Sequence, residues 1–371
     1  MPVVAITGAN GFIGKNLVLR LREKSIGVVT IGHELEVAGM AELLVGVDCV
    51  VHLAGVNRPE HPSGFQIGNQ GMTERLVAAL SQTAPTVPVI YASSIQVAQD
   101  NAYGRSKLAA EAALVRHGEA HGAKVHILRL PNVFGKWCRP NYNSVVATFC
   151  HNLSRDLPIT INDPSILLRL VYIDDVVDTF VDLILNGGAG DADASIAPVY
   201  EITLGELAEE LIRFRDSRDT LVTGKVGTGL LRALHATYVS YLSPECFSYD
   251  LTAHTDARGT FVEMLRTPES GQFSYFTAHP GITRGGHYHH SKTEKFLVLQ
   301  GTARFGFRHV LTGETFEIVT SGAKPQVVET VPGWSHDVTN IGSETMVVML
   351  WANEVFDPGR PDTIAAKVIA Q

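Results

Sequence analysis

Two groups of residues in this 371-residue chain are spaced for chemistry. The first is Tyr103-Gly104-Arg105-Ser106-Lys107. On a helix, a phenol and an ammonium four residues apart share one face. A nearby ammonium favours phenolate, so the pair predicts a lowered Tyr103 pKa and a phenol that exchanges its proton near neutral pH. Lys107 could also hold the ribose of a cofactor. Ser94, at the end of an apolar run, can hydrogen-bond a substrate carbonyl beside the tyrosine, although strand ends commonly carry serine for turn chemistry alone. The second group is Gly281, His287-Tyr288-His289, Glu294 and Gly301, followed by Gly333, His336 and Asn340. His287 and His289 alternate along a strand and point to one face. With Glu294 and His336 they form a three-nitrogen, one-oxygen ligand set suited to Zn2+, Fe2+, Mn2+ or Ni2+. The competing reading is a histidine-rich surface turn. Tyr288, His290 and Lys292 are candidate proton carriers among which spacing does not choose.

A third motif would bring a cofactor to the tyrosine. Thr7-Gly8-Ala9-Asn10-Gly11-Phe12-Ile13-Gly14 follows an apolar run and opens a helix-period segment. Glycine lets the backbone approach a pyrophosphate, and a helix N-terminus offers free N–H donors to it.

The elements that must position these residues follow from periodicity. Val3–Thr7, Gly27–Ile31, Asp48–Leu53, Val87–Ser93 and Lys124–Leu130 read as strands, with helices at Gly11–Glu23, Met72–Ser81 and Tyr103–His117 between them. That alternation predicts an α/β Rossmann-like, doubly wound parallel sheet. Thr203-Leu204-Gly205-Glu206 has the form of a capping box, opening a helix through Phe214. Residues 216–245 read as irregular with a helix near Leu230–Leu242. From residue 246 short β-rich runs take over: Gly259–Leu265, Gln272–Ala278, Lys295–Leu299, Thr302–Arg308, Thr315–Val319, Gln326–Thr330 and Thr345–Trp351. These predict an all-β barrel and a domain division at 1–245 and 246–371.

Bulk properties exclude several classes. Net charge is −8, which argues against a broad nucleic-acid surface. Leu167 to Leu185 is the richest apolar stretch, but five charged residues in it rule out a membrane span. The N-terminus lacks a basic n-region, so no signal peptide is expected. Cys49, Cys138, Cys150 and Cys246 show no CxxC spacing and read as free thiols in a reducing cytoplasm.

Taken together, residues 1 to about 215 resemble an extended short-chain dehydrogenase/reductase. The glycine loop, His52-Leu53-Ala54-Gly55, Asn69, Ser94, Tyr103/Lys107, Arg129 to Gly135 and Tyr172 to Val177 carry the resemblance. It implies cofactor contacts at Gly8, Gly11, Phe12, Ile13, Gly14, Leu53, Ala54, Gly55 and Asn69, as well as at Tyr103 and Lys107, with Asn132 near the diphosphate end of a substrate. Strand two ends Ile31-Gly32-His33-Glu34. His33 stands where relatives using the phosphorylated coenzyme often have Arg, which favours NADP(H), while Glu34 is the acidic type found in NAD enzymes. The histidine and glutamate spacing resembles both cupin motifs, apart from Pro332 directly preceding Gly333. That makes the second domain an expected jelly-roll barrel, with zinc the first candidate metal.

The fusion resembles the bifunctional capsular-polysaccharide enzymes that make precursors of N-acetyl-L-fucosamine. The runs His52 to His61, Phe134 to Cys138, Pro140 to Ser144 and Gly286 to His290 are shared. The resemblance implies a UDP-linked 2-acetamido-2,6-dideoxy-4-hexulose as substrate. Its carbon 3 would be epimerised in the barrel, and its carbon-4 ketone reduced by NADPH to UDP-2-acetamido-2,6-dideoxy-L-talose. Lys136, Asn141 and Asn143 join Asn132 as candidate grips on the nucleotide sugar. A homodimer or higher oligomer is expected, with no nucleic-acid or membrane partner. The alternatives are a UDP-sugar epimerase or dehydratase with tightly bound NAD and a structural barrel, a redox sensor, and a cupin dioxygenase.

Overall fold

The structure is a computed structural model describing residues 2–186, 195–256, 259–262, 264–265, 267, 271–354 and 357–369. It separates into two compact units. The first holds Met1–Phe134, Asn141–Ser144 and Leu167–Ile202; the second holds Gly135–Pro140, Val145–Ile166 and Thr203–Gln371.

The first unit is built on five parallel strands: β1 (Val3–Thr7), β2 (Gly27–Ile31), β3 (Cys49–His52), β4 (Val89–Ser94) and β5 (Val125–Leu130), in the order β2-β1-β3-β4-β5. A parallel sheet covered on both faces needs apolar runs rather than alternation. Val4, Ala5, Ile6, Val50, Val51, Val89 and Ile90 accordingly have no exposed surface. Helix α1 (Phe12–Glu23) follows β1 and helix α2 (Val37–Leu43) follows β2. Leu76 and Leu80 of the helix Met72–Thr83 and Leu114 of the helix Ala102–His121 join Ala5, Val50 and Tyr91 in one core. The chain runs from β1 outward to β2 and returns to β3 on the other side of β1. The carboxyl ends of β1 and β3 therefore flank the switch point where doubly wound sheets bind ligands.

The stretch Leu167 to Leu185 divides into a strand (Leu167–Tyr172) and a helix (Ile173–Leu185). The strand pairs in parallel with Asn132–Phe134. Among the described residues no helix is long and apolar enough to cross a membrane, and the four cysteines carry free thiols.

The second unit carries two five-stranded sheets. One runs Gln272–Ala278, Met346–Ala352, Glu294–Gln300, Gln326–Glu329, Ser248–Asp250; the other runs Thr315–Ser321, Thr302–His309, Trp334–Asn340, Thr283–Tyr288, Ile364–Ala365. All of their pairings are antiparallel. This is the predicted β-rich second fold. Of the predicted run Gly259–Leu265, Gly259–Val262 is strand, and residue 263 lies outside the described residues. The capping box is present: Glu206 N donates to Thr203 Oγ1 at 3.2 Å, and Thr203 N donates back to Glu206 Oε2 at 2.9 Å. The helix it opens runs to Thr220, beyond the predicted Phe214, and a second helix spans Gly229–Val239. Sequence periodicity missed the helix Val145–Leu153, a segment of only nine residues.

Candidate active site and metal centre

The glycine loop leaves β1 with Gly8 at φ +71°, a conformation that glycine adopts without strain. A Cβ on Gly8 would lie 2.7 Å from Ala54 N. One on Gly14 would lie 2.2 Å from the Gly8 carbonyl oxygen. Gly8 and Gly14 are thus required by close packing, which brings the loop onto the end of β3. Gly11 N donates to Gly8 O at 2.9 Å, and Phe12 and Ile13 form the first turn of α1. No side chain caps that helix and no acidic residue stands in its first turn, so its N–H groups are available to an anion.

A chain of hydrogen bonds holds the two strand ends in register. Thr7 Oγ1 accepts from Leu53 N at 3.2 Å and Ala54 N at 3.1 Å. Its own proton then points to His52 Nδ1, 2.6 Å away. His52 Nε2–H faces Thr73 Oγ1 at 2.8 Å, and Thr73 donates to the Asn69 carbonyl at 2.8 Å. Burial, aided by the Lys107 charge, pushes His52 down to about 3, so the ring is neutral in this chain. It stacks on Tyr91 with centroids 5.1 Å apart. Asn69 clamps the next loop: Val56 N donates to its Oδ1 at 2.8 Å, and its Nδ2 donates to Val56 O at 3.0 Å and Ser106 Oγ at 2.9 Å. A Cβ on Gly55 would lie 2.8 Å from Asn69 Oδ1 and 3.3 Å from Lys107 Nζ.

Tyr103, Ser106 and Lys107 lie in the first turns of the helix Ala102–His121, which Asn101 caps by accepting from Gly104 N at 2.7 Å. The Ser94 side chain faces the Tyr103 phenol and favours its ionised form. Phe65 packs edge-on against the Tyr103 ring at 5.7 Å. The structure therefore brings Ser94, Tyr103, Lys107, Asn69 and Gly55 together beside the switch point. It also corrects one expectation: the Tyr103 pKa is raised, because burial outweighs the opposing effect of Ser94. The ammonium that was to lower it is occupied elsewhere. Lys107 Nζ donates to Ala92 O at 2.9 Å and stands 4.7 Å from the centre of the Tyr91 ring. Burial brings Lys107 down to about 8, partly offset by Glu111. Glu111 accepts a bond from Ser93 and a bidentate pair from Arg129. Sequence reasoning missed Glu111 and the role of His52. Glu111 had a signal, since it follows Lys107 by four residues on the same helix face.

At the end of β2, His33 is 91% exposed and its Nδ1 lies 3.4 Å from Glu34 Oε2. The Glu34 carboxylate folds back over Gly32, where a Cβ would lie only 1.9 Å from Oε1. Arg75, also missed, donates to the carbonyls of His33 at 3.0 Å and Leu35 at 3.2 Å. Of the candidate sugar grips, Asn132, Asn141 and Asn143 are exposed in the first unit. Lys136 belongs to the second unit, is 1% exposed and has its ammonium 5.4 Å from the centre of the Trp137 ring.

In the second unit His287 pairs directly across the ladder with His336. One ligand atom from each of His287, His289, Glu294 and His336 falls within 4.8 Å of the others. Glu294 Oε2 lies 3.0 Å from His289 Nε2 and 3.4 Å from His336 Nε2. His289 Nδ1 lies 2.6 Å from the Asp362 carbonyl, so that nitrogen carries the proton and Nε2 presents a lone pair to the carboxylate. Acceptors converging on acceptors fit a cation between them. The protonation states agree. Burial and the neighbouring imidazoles push His287 down to about 3, and burial lowers His336, so both rings stand neutral with lone pairs to offer. Among the candidate proton carriers, Lys292 has its Nζ 3.6 Å from Glu294 Oε1.

Comparison with known proteins agrees with both units. Residues 4–197 match the NAD dependent epimerase/dehydratase family, and residues 254–364 match a polysaccharide biosynthesis C-terminal domain. The chain is 57% identical over 366 residues to a UDP-2-acetamido-2,6-beta-L-arabino-hexul-4-ose reductase of Pseudomonas aeruginosa, covering 98% of each. It is also similar to the crystal structure of the capsular polysaccharide assembling protein CapF from Staphylococcus aureus, at 40% identity and TM-score 0.67, over 99% of this chain and 100% of that one. A UDP-N-acetylglucosamine 4-epimerase from Bacillus cereus, 19% identical with TM-score 0.51 over 58% of this chain and 82% of its own, shares the fold of the first unit.

Proposed function

Since the chain belongs to the NAD dependent epimerase/dehydratase family and is an oxidoreductase acting in nucleotide-sugar chemistry, we propose that it reduces a UDP-2-acetamido-2,6-dideoxy-4-hexulose at carbon 4, giving UDP-2-acetamido-2,6-dideoxy-L-talose at the expense of NADPH. The observation that carries this reading is the convergence of Ser94, Tyr103 and Lys107 at the carboxyl edge of the sheet, where the glycine loop closes. Bound there, the reduced nicotinamide would supply hydride to carbon 4. Ser94 holds the ketone oxygen, and Tyr103 gives its proton to that oxygen as the alkoxide develops. The raised Tyr103 pKa keeps the phenol protonated and ready to donate. Lys107 is the proposed donor for the cofactor ribose. Asn132, Asn141 and Asn143, exposed in the first unit, are the proposed grips on the nucleotide sugar, and the buried Lys136 of the second unit is not counted with them.

The cupin-type second domain is proposed to epimerise carbon 3. A divalent ion held by His287, His289, Glu294 and His336, zinc by preference, would polarise the carbon-4 ketone and acidify the neighbouring C–H. We take residues 1–245 and 246–371 as the functional halves of a cytoplasmic homo-oligomer in a surface-polysaccharide pathway.

The test is to incubate the purified protein with the UDP-linked 4-keto-6-deoxy amino sugar and NADPH in deuterated water and to analyse the product by NMR. The expected product is the L-talo sugar with deuterium at carbon 3 and one NADPH consumed per turnover. Turnover without net NADPH consumption would instead indicate the second reading, a UDP-sugar epimerase or dehydratase with tightly bound NAD. That reading is favoured by the Glu34 carboxylate folded onto the end of β2, where a ribose hydroxyl would meet it.

A further inference from the structure

The strand carrying the two histidines is finished by a segment far along the chain. Ile364–Ala365 pairs with it, His287 opposite Ala365 and Tyr288 opposite Ile364. Ala366 N donates to Gly286 O at 2.9 Å, Ser335 Oγ donates to Ala366 O, and Arg308 donates to Lys367 O through Nε and Nη2 at 2.9 and 2.7 Å. Immediately before this strap stands Asp362, with a positive φ of 33°.

We propose that Asp362 is a positioning residue of the metal centre, one that sets the tautomer of His289 and the path of the loop between the histidine pair and Glu294. This rests on the reading of His287, His289, Glu294 and His336 as metal ligands. Two groups of one residue act on that loop. The main-chain carbonyl takes the Nδ1 proton of His289, leaving Nε2 as the ligand atom. The carboxylate accepts the next three main-chain N–H groups: His290 at Oδ1, 2.9 Å, and Ser291 and Lys292 at Oδ2, 2.9 and 2.8 Å. Ser291 Oγ adds a fourth bond at 2.9 Å, and the Arg232 guanidinium stands 3.7 Å from Oδ2. Lys292 is held a second time, its Nζ reaching Thr363 Oγ1 at 3.4 Å. The four residues from His289 to Lys292 are thus tied to the strap at every position just before Glu294 must turn in. A ligand histidine fixed through its second nitrogen by a carbonyl is the usual way that tautomer and ring plane are set. Here the carboxylate of the same residue binds the loop that follows the ring.

The experiment uses the full-length protein and Co2+ as the probe. Asp362→Gly removes the carboxylate while allowing the positive φ; Asp362→Asn keeps one acceptor oxygen. Each is titrated with Co2+ against a chelator, with the visible spectrum recorded and folding followed by circular dichroism. The Gly variant is expected to lose about 10–100-fold in Co2+ affinity with an altered ligand-field spectrum, and the Asn variant to lose less. Wild-type affinity and spectrum in a folded Gly variant would overturn the assignment. Should that variant not fold, 15N NMR of His289 in the wild-type protein decides. A protonated Nδ1 supports the assignment, and a protonated Nε2 overturns it. Failure of the wild-type protein to bind Co2+ at all would instead remove the metal-centre reading on which it rests.

Discussion

The Lys107 ammonium is hydrogen-bonded to the main-chain carbonyl of Ala92 on β4, 2.9 Å away, and not held in open solvent. Its charge is therefore kept in a buried place at a cost to the fold. The unfolded chain holds this proton up to the ordinary lysine value of 10.5, whereas the folded chain releases it at about 8. The penalty is full below pH 8 and is relieved as pH rises from 8 towards 10.5, amounting to roughly 3 kcal/mol. Lys107→Met should accordingly be more stable than wild type at pH 7, and that advantage should shrink at pH 9.5. Thermal melts at the two pH values check the sign.

The same lysine predicts the pH dependence of coenzyme binding. Wild-type affinity for NADPH should weaken as pH rises through about 8, where Lys107 loses its proton. The Met variant should bind weakly at every pH, with no inflection. Fluorescence titration of NADPH from pH 6.5 to 9.5 separates the two curves, and an inflection that survives in the variant belongs to another group.

The two proposed activities should come apart by mutation. Tyr103→Phe removes the proton donor and should reduce NADPH oxidation by at least about a hundredfold, as general-acid losses do, while leaving deuterium exchange at carbon 3 intact. His287→Ala removes one metal ligand and should abolish exchange. If Tyr103→Phe reduced the ketone at the wild-type rate, the role given to the phenol would be wrong.

Gly14→Ala should remove coenzyme binding without unfolding the sheet. The added methyl would sit 2.2 Å from the Gly8 carbonyl oxygen, so the loop must open away from its helix. A crystal structure of the variant or an NADPH titration shows the effect, expected as a rise in Kd of at least about tenfold, since more than 1.4 kcal/mol of distortion follows from such a contact.

His52 is buried and neutral, with its folded pKa pushed below the ordinary histidine value of 6.5 to about 3. The unfolded chain therefore binds a proton that the folded chain refuses, and stability falls as pH drops below 6.5, by about 1.4 kcal/mol per pH unit from this residue. His52→Gln, which can both donate and accept, should flatten that acid slope. His52→Ala should cost about 2–4 kcal/mol at pH 7 by leaving the Thr7 and Thr73 hydroxyls without their partner. Denaturant unfolding at pH 5 and pH 7 distinguishes the variants.

Much of this was legible in the residues because the physics was local. A glycine loop after an apolar strand, a tyrosine and lysine one helical turn apart, and two histidines two residues apart each declare a shared face by spacing alone. What stayed hidden depends on depth and on distant partners. The upward shift of Tyr103 arises from burial that no spacing reveals, and Lys107 turns toward Ala92, fifteen residues earlier in the chain. Arg75 reaches His33 across 42 positions, and Asp362 reaches His290 across 72. Val145–Leu153 is a helix of nine residues, too short for its one polar face of Thr148, His151 and Asn152 to declare a period.

The run of hydroxyls, ring and amide from Thr7 through His52, Thr73, Asn69 and Ser106 ends on the main-chain carbonyl of Tyr103, which Ser106 Oγ meets at 2.8 Å. Its first member has both lone pairs taken by the N–H groups of Leu53 and Ala54, which cannot turn round. The run breaks at Asn69, where Thr73 bonds the main-chain carbonyl and the side-chain amide makes the next bond, so it braces the strand ends without forming one continuous path for a proton. A phenol that has given up its proton is not recharged along that run, which ends on the Tyr103 main chain and not on its ring.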